Sequence, residues 1–360
     1  MTASPETLPE LAEAVRAYPR VLAVGGGTKP RLSQVGGDVA RISTRRLKGI
    51  VEYEADEFTF TALAGTLVRE IAASLAEKGQ YLPFDPMLTE AGATLGGTVA
   101  SGISGPGRFR FGGLRDFILG VRFVDGGGRL LRLGGKVVKN AAGFDVPKFL
   151  VGSAGRFGVL GELTFKVFPR PPAELTLRLP AAGPEAATRT LVEMASTRWE
   201  PEALDVPPGE DAVFVRLAAP RAALEAIARE VASGRGGTIL GAAPAEALWA
   251  GLREFRWAHP EGVLLKVALS PLQVPQLAAA LGAGSAVRLH VTSGGNAAFA
   301  SLAGREEAAR ADAALAGLGL SAMTLRGEAP LWMGARPRAE LAGAVKDALD
   351  PDHRFPALDA

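Results

Sequence analysis

"RVLAVGGGTKPRL", residues 20–32, runs an apolar strand into three glycines, a threonine, a lysine and a proline. A loop of this composition can turn successive backbone N–H groups toward one point, because glycine accepts positive φ and carries no Cβ. An anion suits such a nest. A Walker loop needs G-x-x-x-x-G-K-[ST] opening a helix, and no stretch of the chain matches it. The dinucleotide fingerprint G-x-G-x-x-G must also open a helix, and Pro30 with the polar residues after it starts none. What remains is a bare nest formed by Gly25, Gly26, Gly27 and Thr28, with Lys29 beside it.

A single glycine cluster after a strand is more often only a turn. Two further glycine loops change that reading, "TLGGTVASGISG" (94–105) and "GSAGRFGVLG" (152–161). The first of these opens a helix and is expected to offer N–H groups at its start. Three such loops in one domain suit a long ligand with a pyrophosphate in its middle. A dinucleotide fits that description.

A chain of 360 residues is comfortable for two domains, and 48% hydrophobic with 22% charged residues describes a globular chain with ample core. A net charge of +2, without a basic tract interleaved with aromatics, argues against a nucleic-acid surface. The absence of cysteine excludes a disulfide framework, an iron–sulfur cluster held by this chain and a cysteinyl–cofactor bond. Three histidines restrict metal and base chemistry. "MTASPETLPELAEAV" lacks a basic region followed by an apolar block, and no uncharged apolar run reaches the roughly 18 residues of a spanning helix. The expectation is a cytoplasmic chain with no direct membrane span, able to sit peripherally at the inner face of a membrane through partners.

The apolar pattern predicts a helix over 5–17, strands at 39–43, 49–55 and 58–65, and a helix after Thr66 as N-cap with Gly79 past its end. Residues 81–114 are irregular and glycine-rich, and 116–134 read as a hairpin around "DGGG". The proline-rich exit Pro169–Pro172 closes a first domain, 1–171. From 172 to 328 the order of strands and helices is βαββαβ twice, the ferredoxin-like order, with "PAEALWAGLREFRW" (244–257) as a joining helix. Residues 329–360 end in a helix expected to return to the first domain. The class is α+β.

The loop "GGGTK", the block "PFDP…TLGGTVASG…GGLRDFILGVRFVDGGG" and the segment "KVVKNAAGFDVPKFLVGSAGRFGVLGELTFKVFPRP" resemble the FAD-binding domain of the p-cresol methylhydroxylase/vanillyl-alcohol oxidase type. Within that superfamily the chain is most similar to the FAD-binding subunits of bacterial glycolate oxidases, through to the final "VKDALDPDHRF". The resemblance implies a two-part FAD-binding domain plus a cap domain of two ferredoxin-like halves. It places Gly25, Gly26, Gly27 and Thr28 on the FAD pyrophosphate, with Lys29 as a charge partner. Thr94, Leu95, Gly96, Gly97, Ser101 and Gly102 would line the second phosphate and the isoalloxazine wall. Gly152, Ser153, Gly155, Gly158 and Val159 would approach the adenine–ribose side. Members with covalent FAD carry a histidine in the first loop or a cysteine in the second. This chain has Thr28 and Lys29 in the one and no cysteine at all, so FAD is expected to be non-covalent.

Flavin oxidation of a 2-hydroxy acid needs a base for the hydroxyl proton and cations for the carboxylate, with hydride passing to the flavin. Catalytic relatives carry a metal site built from "GDGN-x-H" and a later "EHG". Here "LHVTSGGNAAFA" (289–300) keeps Asn296, but Gly294 stands at the aspartate position and Ala298 at the metal histidine. "LRGEAPLWMGARP" contains no EHG, and Ala154 replaces the glutamate of "GSEGTLG". No metal site is expected. Arg253 and Arg256 could hold a carboxylate by bidentate contacts, although a surface helix with Trp249 and Phe255 turned inward accounts for them as well. His290 could be a base, although a lone histidine in an apolar strand is more often a core residue. The reading that follows is an accessory or electron-relaying FAD subunit of a glycolate (2-hydroxy acid) oxidase complex. Its partners would be a homologous catalytic flavoprotein subunit and an iron–sulfur subunit. A self-sufficient FAD-dependent 2-hydroxy acid dehydrogenase and a flavin-free scaffold are the alternatives.

Overall fold

Leu8, Leu11, Ala12 and Val15 recur at the spacing of one helix face, and all four are buried on the helix Leu8–Arg16. The helix starts at Leu8, later than the apolar pattern suggests, because the Thr7 hydroxyl accepts from the Glu10 N–H at 3.3 Å and caps it. Its apolar face packs with Val21, Ile42, Val124, Val159 and Phe355. The computed structural model describes residues 2–135, 145–282, 284, 286–336 and 339–359, so the quoted stretch "KVVKNAAGF" (136–144) lies outside the described residues.

The described residues divide into two units, the first comprising 2–103, 113–169 and 339–359. Its main sheet has five antiparallel strands in the order Ile50–Glu54, Thr59–Leu63, Val159–Lys166, Ile118–Val124 and Leu130–Gly134. The last two are the hairpin around "DGGG". Phe60, Phe84, Phe117 and Phe165 meet on its buried side, Phe60 and Phe165 stacked with centroids 5.8 Å apart. A separate parallel pair, Val21–Val24 with Ala40–Ser43, feeds the first glycine loop.

Thr66 does not cap the next helix, which spans Val68–Ala76 behind Leu67. Its hydroxyl is buried and tied to Leu63 O at 2.7 Å and to the Gly49 backbone, so it braces a turn. The helix's first donor, the Val68 N–H, goes to Ala93 O at 2.9 Å.

The terminal helix Ala339–Leu349 packs within this same unit. Beyond it, the Arg354 guanidinium donates to Gly126 O, Val15 O and Tyr18 O. Gly126 has no room for a side chain, since a Cβ there would overlap Asp350.

The second unit comprises Ser104–Gly112 and Arg170–Arg336. The split therefore differs from the sequence boundaries: 329–336 stays with the second unit, and nine residues inside the glycine-rich stretch cross over to it. Two sheets form here. The first runs Ala203–Asp205, Ala212–Ala218, Glu174–Pro180, Thr238–Ile239, and carries the helices Gly183–Ala195 and Arg221–Arg235. The second runs Val287–Thr292, Ala297–Leu302, Val263–Ala268, Ser321–Arg326, with the helices Val274–Leu281 and Arg305–Gly317. In both, the strands lie second, third, first, fourth, which is the ferredoxin-like arrangement. A further edge strand, Trp332–Gly334, extends the second sheet and was not legible from its residues. The joining helix is Ala242–Arg253, shorter than the pattern predicts, because Phe255 takes a positive φ of 52°.

The two sheets meet edge to edge through paired backbone bonds between Val206 and Val291, 2.7 and 3.0 Å. Beside that bridge the fully buried Asp205 carboxylate pairs with His290 Nε2 at 2.7 Å and accepts from Thr292 Oγ1 at 2.9 Å and the Ser293 N–H at 3.2 Å. Removing that acceptor leaves its partners buried without one. Asp205→Ala is expected to destabilise the chain by about 3 kcal/mol in denaturant unfolding. A loss below about 1 kcal/mol would contradict this role.

Candidate cofactor site

The three glycine loops line one shared cavity in the first unit. Gly25, Gly26, Gly27, Thr28 and Lys29 line one wall, Thr94, Gly96 and Gly97 another, and Ser153, Gly155 and Gly158 a third. The remaining residues singled out from the sequence stand behind these walls. Leu95 and Val159 are buried, and Ser101 donates its hydroxyl to Thr98 O at 3.0 Å. Gly102 lies back to back with Gly152: a Cβ on Gly102 would sit 2.9 Å from the Gly152 Cα.

The first loop lies flat against the second. A Cβ on Gly25 would overlap the Thr94 hydroxyl, and one on Gly26 would overlap Gly92 O. Gly27 has φ +74°. The Arg45 guanidinium donates to Gly25 O at 3.2 Å and to Gly26 O at 2.8 Å. In a trans peptide the N–H points opposite to the C=O, so occupying these carbonyls leaves the next N–H groups on the other edge of the loop. Among the described residues no protein acceptor takes the N–H of Gly25, Gly26, Gly27 or Thr28. Lys29 is only 6% exposed, and its Nζ donates to Thr28 Oγ1 at 2.9 Å. Open donors with a buried cation beside them fit a diphosphate.

The second loop behaves otherwise than its sequence suggests. The first N–H groups of the helix Leu95–Ser101 are already taken: Leu95 by Thr66 O, Gly96 by Ala64 O, Gly97 by the Thr94 hydroxyl and Thr98 by Thr94 O. This stretch supplies a wall of small residues, not anion donors. The third loop is stitched to the end of the same helix, through Gly152 N–H to Val99 O at 2.9 Å and Ala154 N–H to Ala100 O at 2.8 Å. Arg45 escaped the sequence reading. Only the pairing of two strands far apart in the chain brings it to the loop.

In the second unit His290 is fully buried on Asp205, between the rings of Trp257 and Phe299 at 5.8 and 6.0 Å. Its place is in the core. Arg253 ends its helix half-buried, and Arg256 lies past the helix end and is exposed. Trp249 is turned inward and donates to the Thr176 hydroxyl at 2.8 Å. The positions aligned with the metal motif are filled by packing. A Cβ on Gly294 would lie 2.6 and 2.7 Å from ring atoms of Phe109, and Ala298 is fully buried in the sheet's core. Lys266, on Val263–Ala268, was missed by the sequence reading; burial and the Arg108 charge push it down to about 8. Its environment depends on Ser104–Gly112 joining this unit.

Residues 1–134 match the FAD binding domain family. The cofactor is FAD. The chain is 47% identical over 137 residues to the glycolate oxidase subunit GlcE of Escherichia coli, covering 38% of this chain and 39% of that protein. It is 28% identical over 180 residues to the glycolate oxidase subunit GlcD of Bacillus subtilis, 50% of this chain and 37% of that one. A D-lactate dehydrogenase of Anaerostipes hadrus is 30% identical over 171 residues, 48% and 35% of the two chains. The matches thus span little more than a third of these relatives' lengths. In fold, the chain aligns over 98% of its residues with 75% of an alkyldihydroxyacetonephosphate synthase, with a TM-score of 0.72 at 17% identity. That architecture is the p-cresol methylhydroxylase type.

If the first loop holds FAD by its backbone, filling the space behind Gly26 must displace it. Gly26→Ala is expected to weaken FAD binding at least about tenfold in a flavin fluorescence titration. Wild-type affinity in a folded variant would contradict the geometry.

Proposed function

We propose that this chain is the FAD-binding subunit of a glycolate (2-hydroxy acid) oxidase complex, accessory or electron-relaying and not the main catalytic subunit. The observation that carries this reading is the packing at the metal-motif positions. Phe109 occupies the space that a side chain at Gly294 would need, and Ala298 faces the core. The similarity to GlcE and GlcD supports a multi-subunit setting. The homologous catalytic flavoprotein subunit would oxidise the substrate. An iron–sulfur subunit would carry electrons onward, since this chain has no cysteine to ligate a cluster. FAD, when bound, supplies the capacity to accept and pass on electrons. This chain's part is to hold it non-covalently, with Gly25–Thr28 on the diphosphate and Lys29 balancing its charge. Among the described residues no helix is long and apolar enough to cross a membrane, and contact with the membrane's inner face would come through partners.

The direct check is the visible spectrum of the FAD-loaded chain before and after anaerobic addition of glycolate. Flavin bands that persist alone, and bleach once a catalytic partner is added, are the expected result. Bleaching by glycolate without a partner would contradict the accessory role.

One observation favours the second reading, a self-sufficient dehydrogenase. Burial and the Arg108 charge together lower the Lys266 ammonium to about 8, and two cations acting on one site would suit a substrate carboxylate. With its folded value near 8, Lys266 is charged below that pH and neutral above it. Under this reading, affinity for a 2-hydroxy acid falls as pH rises through about 8, and Lys266→Met removes that dependence. A flat profile between pH 6 and 10, measured by isothermal titration, would leave the pair without a role in substrate binding.

A further inference from the structure

Arg156 sits in the third glycine loop, where the motif of the flavin relatives has a threonine, and is 1% exposed. Its Nη1 donates to Leu32 O at 2.8 Å and to Ala154 O at 2.5 Å. Both acceptors belong to residues that line the FAD cavity, Leu32 just past the first loop and Ala154 in the third. One guanidinium thus fastens two walls of the cavity to each other.

The carbonyl of Arg156 is held in turn from the far end of the chain. Lys346, on the helix Ala339–Leu349, donates from Nζ to Arg156 O at 2.7 Å, to Phe355 O at 3.1 Å and to the Asp350 carboxylate. These three acceptors match the three protons of an ammonium, and the group is nearly enclosed at 6% side-chain exposure. Asp350 is fully buried and also accepts the N–H groups of Arg354 at 2.8 Å and Phe355 at 2.9 Å. A buried cation that finds all its acceptors in one geometry can adopt few others without a large desolvation cost.

We infer that the C-terminal segment 339–359 positions the FAD-binding loops, through Lys346 on the Arg156 backbone and the Arg156 side chain on Leu32 and Ala154. The inference rests on the reading of the cavity as the FAD site. Lys346 and Arg156 are positioning residues: they set the spacing of the loops from behind. Coupling of this kind is reciprocal, so FAD must also tighten the C-terminal segment.

The test compares FAD binding to the full chain, to Lys346→Met and to Leu341→Ala, a substitution on an exposed side chain of the same helix. Flavin fluorescence gives the affinity, and circular dichroism confirms folding. Lys346→Met is expected to bind FAD at least about tenfold more weakly, with Leu341→Ala equal to wild type. A folded Lys346→Met variant with wild-type affinity would overturn the inference. Hydrogen exchange on the wild-type chain decides the question if that variant does not fold. FAD is expected to slow exchange at Arg354 and Phe355, whose N–H groups Asp350 accepts. Protection confined to the glycine loops would overturn the positioning role alone. A wild-type chain that binds no FAD would overturn the cavity reading and the positioning role together.

Discussion

The first unit depends on one close approach. The loop at Gly25–Gly26 lies so near Thr94 and Gly92 that any side chain would overlap them. This contact holds the loop flat and leaves its N–H groups open, while Arg45 takes the carbonyls on the opposite edge. A hydrogen-bonded turn would have closed those donors onto itself. Here they are kept open by steric contact behind the loop and by an arginine that accepts nothing. The proposed pyrophosphate site is a consequence of where Cβ atoms are missing.

The second unit is organised around the opposite device, filled space. Asp205 gathers three partners at the seam between two ferredoxin-like sheets, and His290 is one of them, enclosed by aromatic rings. A few residues on, Phe109 lies against Gly294. Two positions where relatives of catalytic type place metal ligands are therefore part of the packed interior. The contrast between an open cofactor cavity and a filled metal position is what supports an electron-relaying or accessory role.

Local patterns made much of this legible. The stripe at Leu8, Leu11, Ala12 and Val15, the hairpin around "DGGG" and the repeated βαββαβ order follow from spacing and turn chemistry, and these elements are present. The nest at Gly25–Thr28 was visible because its glycines follow a strand directly. What escaped the sequence depended on distant partners. Thr66 has the composition of a cap, yet Gly49 and Leu63 take its hydroxyl. The second loop looks like a helix start with free donors, but Ala64, Thr66 and Thr94 occupy them. Arg45, Arg156 and Lys346 matter through contacts made across the fold, which no window of neighbouring residues contains. The crossing of Ser104–Gly112 into the second unit is of the same kind.

The central claim is that the first unit grips FAD by its diphosphate, on the backbone of the first glycine loop. Competition between FAD and FMN for the flavin-free chain tests it most directly, because FMN shares the isoalloxazine ring but lacks the pyrophosphate and adenosine. The account predicts that FAD binds to saturation and that FMN in about hundredfold excess does not displace it. FMN binding as tightly as FAD would contradict the claim, since the glycine loop would then contribute nothing to the affinity.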